Sequence, residues 1–283
     1  MEPPAPLPLV MGIVNVTPDS FSDPGRHLDP HAAVEHGRRL VEEGAAIVDV
    51  GGESTRPGAE SVPPAVELER VIPVVERLAA GRDTGPAGVR VSIDTTKAEV
   101  AAAALGIGAR IVNDVSAFRF EPEIAGLVAG AGATCVLMHM QGDPRTMQED
   151  PRYDDVVSEV KAFLEERLAF AVGEGVPEEH VWLDPGIGFG KTVDHNLELL
   201  ARLDELVALG RPLVVGTSRK SFLGKLTGRA VDERLGGTIA TNVLALVKGA
   251  AVFRVHDVAP VLDALTVALA SLAGRGDGAT FAR

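Results

Sequence analysis

The sequence predicts an α/β fold of the (β/α)8 (TIM) barrel type in a single domain, and three observations support this prediction. Short β-branched segments alternate with Ala-, Leu- and Glu-rich segments of helical period, which indicates parallel strands joined by helical crossovers. Eight strands and eight helices can be counted in that order. Nearly every strand runs into polar or glycine-rich residues, as at the mouth of such barrels. An open doubly wound sheet also fits the alternation.

The predicted elements follow one another along the chain, each strand being an aliphatic run and each helix an amphipathic stretch. The predicted strands are Leu9–Asn15, Ile47–Gly51, Val89–Asp94, Arg110–Asn113, Thr134–His139, His180–Asp184, Leu213–Gly216 and Val252–Val255. The predicted helices are Pro30–Glu43, Ala65–Ala80, Ala98–Leu105, Glu121–Ala129, Tyr153–Glu174, Asp194–Leu209, Leu235–Lys248 and Pro260–Ala273. Residues 9–275 are therefore expected to form the barrel, with a flexible segment at 1–8 and a tail at 276–283.

Composition narrows the class of protein. The chain has 283 residues, of which 46% are hydrophobic and 24% charged, an ordinary globular balance. Its net charge of −13 disfavours general nucleic-acid binding and means that an anionic substrate must be held by local basic groups. Neither an export signal nor a run of ~20 apolar residues is visible. We therefore expect a cytoplasmic protein with small-molecule substrates and no nucleic-acid or membrane partner.

Three predicted strand ends carry carboxylate or amide side chains that can line one pocket, namely Asp94, Asn113 and Asp184. A carboxylate accepts hydrogen bonds from adjacent N–H groups of a heterocycle, and an asparagine both donates and accepts. Metal ligation and helix capping are competing roles for these residues. The segment DPGIGFGKT after the sixth strand fails both the GxxxxGK[ST] and the GxGxxG patterns, which disfavours a nucleotide triphosphatase.

A basic cluster follows the seventh strand in the segment GTSRKSFLG. Arg219 and Lys220 precede Ser221 at a predicted turn from strand to helix. A helix start offers free backbone N–H groups and the positive end of a dipole. This turn therefore suits a carboxylate or a phosphate.

A second basic cluster lies in the segment FRVHDV, where alternation places Arg254 and His256 on one face of the last strand. Arginine can bind a phosphate with two N–H groups, and histidine can donate or accept beside it. In a barrel the last strand lies next to the first, which ends in Asn15. The three side chains fit a pyrophosphate site, with Mg²⁺ on the Asn15 oxygen.

Taken together, these segments resemble the dihydropteroate synthase family from about Val10 to Leu265. The matching strings are MGIVNVTPDSFSD, IVDVGGESTRPGA, SIDTTKAEVA, IVNDVS, LMHMQGDPRTMQ, WLDPGIGFGKT, GTSRKSFLG and RVHDV. The resemblance implies a pterin-binding TIM barrel, Mg²⁺ as cofactor, a homodimer and a sulfonamide target. It also implies an alkyl transfer that joins 6-hydroxymethyl-7,8-dihydropterin pyrophosphate to p-aminobenzoate in folate biosynthesis.

The resemblance further implies roles for residues at the matching positions. The expected catalytic residues are Asp94, Lys220, Arg254 and His256. The expected pterin-binding residues are Asp94, Asn113, Asp184 and Lys220, with Met138, Phe189 and Gly216 lining the slot. The expected pyrophosphate-binding residues are Asn15, Arg254 and His256, of which Asn15 also binds Mg²⁺. The loops that close over the site carry Phe21, Thr55, Arg56 and Pro57, and the aminobenzoate carboxylate is expected at Ser221, near Lys220.

Two other functions stay open. A pterin-dependent methyltransferase domain shares the barrel and the acidic pocket, but it needs neither the pyrophosphate cluster nor the SRKSF turn. A catalytically silent paralogue would bind pterin pyrophosphate without coupling it. Departures from the family pattern keep this second alternative open: Pro24 and His27 in the first loop, and Ala117-Phe118 where glycine is expected.

Overall fold

The computed structural model describes residues 8–17, 30–54, 61–80, 89–143 and 145–274, and its strands form one parallel sheet. The strands are β1 Leu9–Asn15, β2 Ile47–Gly51, β3 Arg90–Asp94, β4 Ile111–Asp114, β5 Thr134–Met138, β6 Val181–Asp184, β7 Val214–Val215 and β8 Val252–Val255. Their order in the sheet is β6-β5-β4-β3-β2-β1-β8-β7. An additional parallel bridge between Leu183 and Leu213 joins the two outermost strands, so the sheet nearly closes on itself. The predicted barrel is confirmed, and the open-sheet alternative is wrong.

Ten α-helices lie in the described ranges, mostly as crossovers between consecutive strands. They are α1 Pro30–Glu42, α2 Pro64–Ala80, α3 Ala98–Gly106, α4 Ile124–Ala131, α5 Val156–Gly173, α6 Val193–Ala201, α7 Asp204–Val207, α8 Ser221–Thr227, α9 Leu235–Val247 and α10 Val258–Ala273. None of the helices in these ranges combines the length and the apolar character needed to cross a membrane.

The predicted helix Asp194–Leu209 is in fact two helices, α6 and α7. The break falls at Arg202, whose φ of −109° and ψ of 26° leave the helical range. Its guanidinium binds Glu198 before the break and Glu205 after it, at N–O distances of 2.7 Å, so both ends of the break share one cation. The predicted element was one helix because apolar periodicity continues through this interruption.

The interior of the barrel changes from apolar to polar along the strands. One interior layer consists of apolar side chains, namely Met11, Ile47, Ile111, Val136, Trp182, Val214 and Val252. Because side chains alternate between the two faces of a strand, the next interior position lies two residues further along. At that position stand Asp49, Asn113, Asp184 and Arg254. The apolar layer therefore closes the barrel below a polar layer that faces the carboxyl ends of the strands.

Candidate active site

The polar layer is centred on the guanidinium of Arg254. Its Nε donates to Oδ2 of Asp49 at 2.7 Å, and its Nη2 donates to Oδ2 of Asp94 at 2.6 Å. Asn113 donates from Nδ2 to the same Asp49 oxygen at 3.0 Å. Side chains from β2, β3, β4 and β8 are thus joined across the barrel by charge-assisted hydrogen bonds, which are the stronger kind.

Burial shifts the ionisation of this cluster. Desolvation raises the pKa of Asp94 to about 7, although the positive charge of Arg254 opposes the shift. Burial alone would lower the pKa of Arg254, but Asp49 and Asp94 raise it above its ordinary value. Arg254 is therefore a permanent cation, whereas Asp94 is poised between its two protonation states near neutral pH.

Asp184, which ends β6, and Lys220, which precedes α8 in the turn after β7, form a second pair of interacting charges. Burial raises the pKa of Asp184, and Lys220 opposes that shift. Burial lowers the pKa of Lys220 to about 7, and Asp184 opposes it in turn. Lys220 Nζ donates to the backbone oxygen of Ile187 and lies 4.2 Å from the centroid of the Phe189 ring. An ammonium at this distance from an aromatic face is attracted to it.

The loop between β6 and α6 owes its shape to glycine. Gly186, Gly188 and Gly190 have φ values of +66°, +84° and +61°, a left-handed region that other residues avoid. A Cβ atom on Gly186 would stand 1.8 Å from the backbone oxygen of His139. These glycines let the loop fold back tightly on the end of β5.

Side chains from outside the loop hold its backbone. Gln148 donates to the Gly188 oxygen at 2.7 Å, and the Tyr153 hydroxyl donates to the Gly190 oxygen at 2.8 Å. The Gly188 N–H donates to Oδ1 of Asn196 at 2.6 Å. The backbone between these anchors carries Phe189 and is therefore fixed before any ligand arrives.

An apolar cluster borders the polar layer on the β5 side. It contains Val115, Met138, Met140 and Met147, with Phe189 packed against it. Methionine side chains adapt to flat ligands, and an aromatic ring offers a stacking surface. Two of the predicted slot residues, Met138 and Phe189, are therefore in one cluster.

The turn after β7 is bound to the turn after β8. Arg219 donates from Nε and Nη2 to the two carboxylate oxygens of Asp257 at 2.9 and 2.5 Å. Arg219 has a φ of +58°, and Arg234 donates to its backbone oxygen at 3.0 Å. Of the basic pair Arg219 and Lys220, Arg219 is therefore already neutralised by Asp257. Ser221, which begins α8, is exposed.

The predicted pyrophosphate residues lie on neighbouring strands. Asn15 ends β1, which pairs with β8 on one side and β2 on the other. His256 follows β8, and its Nδ1 lies 3.0 Å from Oγ of Ser218, which also accepts the His256 backbone N–H at 3.2 Å. That contact orients the imidazole. Asn15, Arg254 and His256 therefore lie on, or directly after, the two neighbouring strands β1 and β8.

The structure joins several of the predicted site residues and adds one. Asp94, Asn113 and Arg254 share one hydrogen-bonded cluster, whereas Phe21, Thr55, Arg56 and Pro57 lie outside the described residues, as do Pro24 and His27. The residue that sequence reasoning missed is Asp49. Its signal was a carboxylate between aliphatic residues in the strand segment IVDVG, where interior strands normally have none.

Fold and site define a (β/α)8-barrel enzyme with buried carboxylates and cations at its mouth. Comparisons with known proteins indicate the family to which this barrel belongs. Residues 11–256 match the model of the family described as pterin binding enzyme. The chain is 52% identical to the dihydropteroate synthase of Mycobacterium leprae over 265 residues, covering 91% of each. It is 47% identical to that of Escherichia coli K12 over 268 residues, covering 95% of this chain and 93% of the relative.

Comparison with solved structures leads to the same family. The Xanthomonas albilineans dihydropteroate synthase with 4-aminobenzoic acid superposes with a TM-score of 0.87 at 50% identity, covering 94% of both chains. The Yersinia pestis dihydropteroate synthase in a sulfonamide drug complex superposes with a TM-score of 0.88 at 43% identity, covering 94% of this chain and 95% of that one. The chain belongs to the dihydropteroate synthase family of pterin-binding enzymes.

Proposed function

We propose that this protein joins 6-hydroxymethyl-7,8-dihydropterin pyrophosphate to p-aminobenzoate, giving 7,8-dihydropteroate and pyrophosphate. The observation that carries the proposal is the buried polar layer, in which Asp94, Asn113 and Asp184 stand with the cations of Lys220 and Arg254. Relatives with this activity in their names match over nine-tenths of the chain.

The acidic side of the layer suits the pterin ring. Asp184 and Asn113 offer oxygen acceptors to the ring N–H and amino groups. Met138 and Phe189 supply apolar surface for the ring faces. Gly216 leaves space beside Arg254, because a Cβ atom on Gly216 would lie 4.0 Å from the Arg254 Cβ. We assign the pterin to this slot.

The pyrophosphate is assigned to Asn15, Arg254 and His256. Magnesium is commonly held by one or two protein oxygen atoms together with substrate phosphates. The Asn15 amide oxygen, on the strand next to β8, fits that mode. Bound there, Mg²⁺ would neutralise charge on the leaving group. Chelation is expected to abolish turnover and added Mg²⁺ to restore it, and turnover that survives chelation would refute the assignment.

Arg254→Ala and His256→Ala separate the anion site from the pterin slot. Each is expected to weaken binding of the pyrophosphate ester far more than binding of the pterin without pyrophosphate, because only the ester carries the anion. Calorimetry with both ligands measures the difference. Equal losses for the two ligands would make these residues scaffold.

The chemistry needs no covalent bond to the protein. The bond between the pterin methylene and the pyrophosphate oxygen breaks, and pyrophosphate leaves with the electron pair. The amine nitrogen of p-aminobenzoate then bonds to the methylene and loses a proton. Departure is favoured because Arg254 and His256 stabilise the leaving anion, while Asp94 and Asp184 stabilise positive charge on the pterin. Positioning and electrostatics carry the catalysis.

The aminobenzoate is assigned to the rim. Ser221 begins α8 directly after Lys220, so a carboxylate bound there would meet a hydroxyl near a cation. The loops with Phe21 and Pro57 would cover the ring. A sulfonamide resembles this substrate, so we expect sulfonamides to compete with p-aminobenzoate and not with the pterin ester. Competition against the ester instead would refute this assignment.

A turnover assay tests the proposal. Purified protein is incubated with the pterin ester and p-aminobenzoate, and dihydropteroate and pyrophosphate are measured by mass spectrometry and a phosphate-release assay. Formation of both products in equal amounts is expected. Binding of the ester without turnover would mean a silent paralogue. Methyl transfer from a methylated pterin without use of p-aminobenzoate would mean a methyltransferase domain.

We also propose a homodimer. Helices α9 and α10 pack against each other and leave Leu244, Val247, Val267 and Leu272 more than half exposed. Apolar side chains grouped in this way are typical of interaction surfaces. Leu244→Glu is expected to give a monomer in sedimentation experiments, whereas Leu197→Glu on α6 is the matched control. A monomeric wild type would refute the proposal. The cytoplasmic location stays a prediction.

A further inference from the structure

We propose that Asp49 is a positioning residue for this reaction, whose buried carboxylate sets the orientation of Arg254 and Asn113. Asp49 lies in the middle of β2 and is fully buried. The inference rests on the proposed function, because it concerns the two side chains assigned to the pyrophosphate and to the pterin.

One oxygen atom of Asp49 serves both side chains. Oδ2 accepts from Arg254 Nε at 2.7 Å and from Asn113 Nδ2 at 3.0 Å. Arg254 is on β8 and Asn113 on β4, and neither strand neighbours β2 in the sheet. The contacts therefore cross the barrel interior and set the position of one ligand-binding side chain relative to the other.

For Arg254 the effect is on the plane of the guanidinium. A guanidinium is rigid and planar, so two fixed nitrogen atoms define its plane. Asp49 fixes Nε and Asp94 fixes Nη2. If the pyrophosphate replaces Asp94 as the partner of Nη2, Asp49 still holds Nε, and the outer nitrogen atoms stay directed at the mouth.

For Asn113 the effect is on which end of the amide faces the ligand. An ionised carboxylate only accepts hydrogen bonds, so the amide nitrogen must point to Asp49. The Asn113 oxygen then faces away from Asp49 and is available to accept from a pterin N–H group. An amide at position 49 would remove this constraint, because it can pair with Asn113 in either orientation.

A purely structural role predicts something different. A buried carboxylate that only balances charge contributes to stability, but not to the geometry of the bound substrate. Asp114 is the matched control: it is equally buried, on β4, and accepts hydrogen bonds from the backbone N–H groups of Ser116 and Phe118. Asp114→Asn should lower the melting temperature and leave kcat/KM of the folded enzyme within about twofold.

The test compares Asp49→Asn with Asp114→Asn in the full chain. For Asp49→Asn, kcat/KM for the pterin ester should fall about 10- to 100-fold, as expected when a reacting group is displaced by about 1 Å. The KM of p-aminobenzoate should change less than twofold. A crystal structure of the variant with the pterin ester should show a rotated Arg254 guanidinium or a flipped Asn113 amide.

Each remaining outcome decides against the proposal or against the proposed function. Unchanged kcat/KM in Asp49→Asn, with a lower melting temperature, would make Asp49 structural. Loss of activity with Arg254 and Asn113 unmoved would also overturn positioning, because Asp49 would then act directly on the substrate. If Asp49→Asn does not fold, Asp49→Ser takes its place, since Ser92 occupies the paired position on β3. Failure of both variants to fold would mean a structural role. A wild type without turnover would instead refute the proposed function.

Discussion

Replacing Asp184 by asparagine changes one atom of the side chain and reverses the hydrogen-bonding character of the face that we assign to the pterin. Asp184 Oδ1 accepts the Gly186 N–H at 2.7 Å. An asparagine can keep that bond only with its oxygen, which leaves its amide nitrogen in place of Oδ2. Two donors, one from the ligand and one from the protein, would then face each other in a buried site.

The size of the effect follows from the charge and the burial of this side chain. Asp184 is only 5% exposed, so water cannot replace the lost acceptor. A hydrogen bond to a charged group is worth about 1.5–3 kcal/mol, which corresponds to a loss of roughly 10- to 150-fold in affinity. Loss of the carboxylate also removes the charge that favours the protonated form of Lys220, whose pKa burial already lowers to about 7. Both effects weaken binding.

Calorimetric titration of Asp184→Asn with the pterin ester measures this change. Asp114→Asn again serves as the control for loss of a buried carboxylate. A dissociation constant within twofold of the wild-type value would refute the assignment of Asp184 as the pterin anchor. Equal losses in the two variants would refute it as well, because the effect would then be one of general stability.

Other predictions concern the rim. Arg219→Ala removes both hydrogen bonds to Asp257, which should lower the free energy of unfolding by about 1–2 kcal/mol and the melting temperature by a few degrees. The control is Arg229→Ala, which removes an exposed ion pair and should change the melting temperature little. Equal changes in the two variants would contradict the prediction. Phe21→Leu and Pro57→Ser should raise the KM of p-aminobenzoate and leave the affinity for the pterin ester unchanged. This prediction assumes ordered binding, with the pterin ester first and p-aminobenzoate second. Tight binding of p-aminobenzoate to the enzyme without pterin and pyrophosphate would contradict that order.

Much of the fold is predictable because each strand is a short aliphatic run. β1, β2 and β8 begin and end at the predicted residues. The helix boundaries are less predictable where a side chain interrupts a periodic segment, as Arg202 does between α6 and α7. The short helix α8 was predicted only as a helix start, because its Gly224 and Thr227 weaken the helical pattern.

The site is predictable where it uses strand ends and unpredictable where it uses contacts distant in sequence. Asp94 is the last residue of β3 and Asn113 the penultimate residue of β4, so their places at the mouth follow from the parallel topology. Arg219 and Asp257 are 38 positions apart in the sequence, so no local sequence pattern predicts that they pair. Asp49 is harder to predict because it stands in the middle of β2, away from the strand ends where site residues of a barrel are expected.

The closure of the barrel between β6 and β7 has a consequence for the bound and the empty enzyme. Leu183 and Leu213 form the bridge there, and β7 has only two residues. Towards the mouth, Lys220 crosses the same gap to Ile187 and to the ring of Phe189. Lys220 and Phe189, which connect the two sides of this gap, are also assigned to the pterin.

A pterin bound between Asp184 and Lys220 would therefore hold β6 and the turn after β7 together. A ligand that binds only the closed form adds to the stability of that form in proportion to the logarithm of its concentration. Binding of the pterin and opening of the barrel between β6 and β7 would then be coupled equilibria. Amide protons of Val214 and Val215 would exchange with deuterium more slowly as the pterin concentration rises, and the lifetime of the folded enzyme would follow the supply of its first substrate.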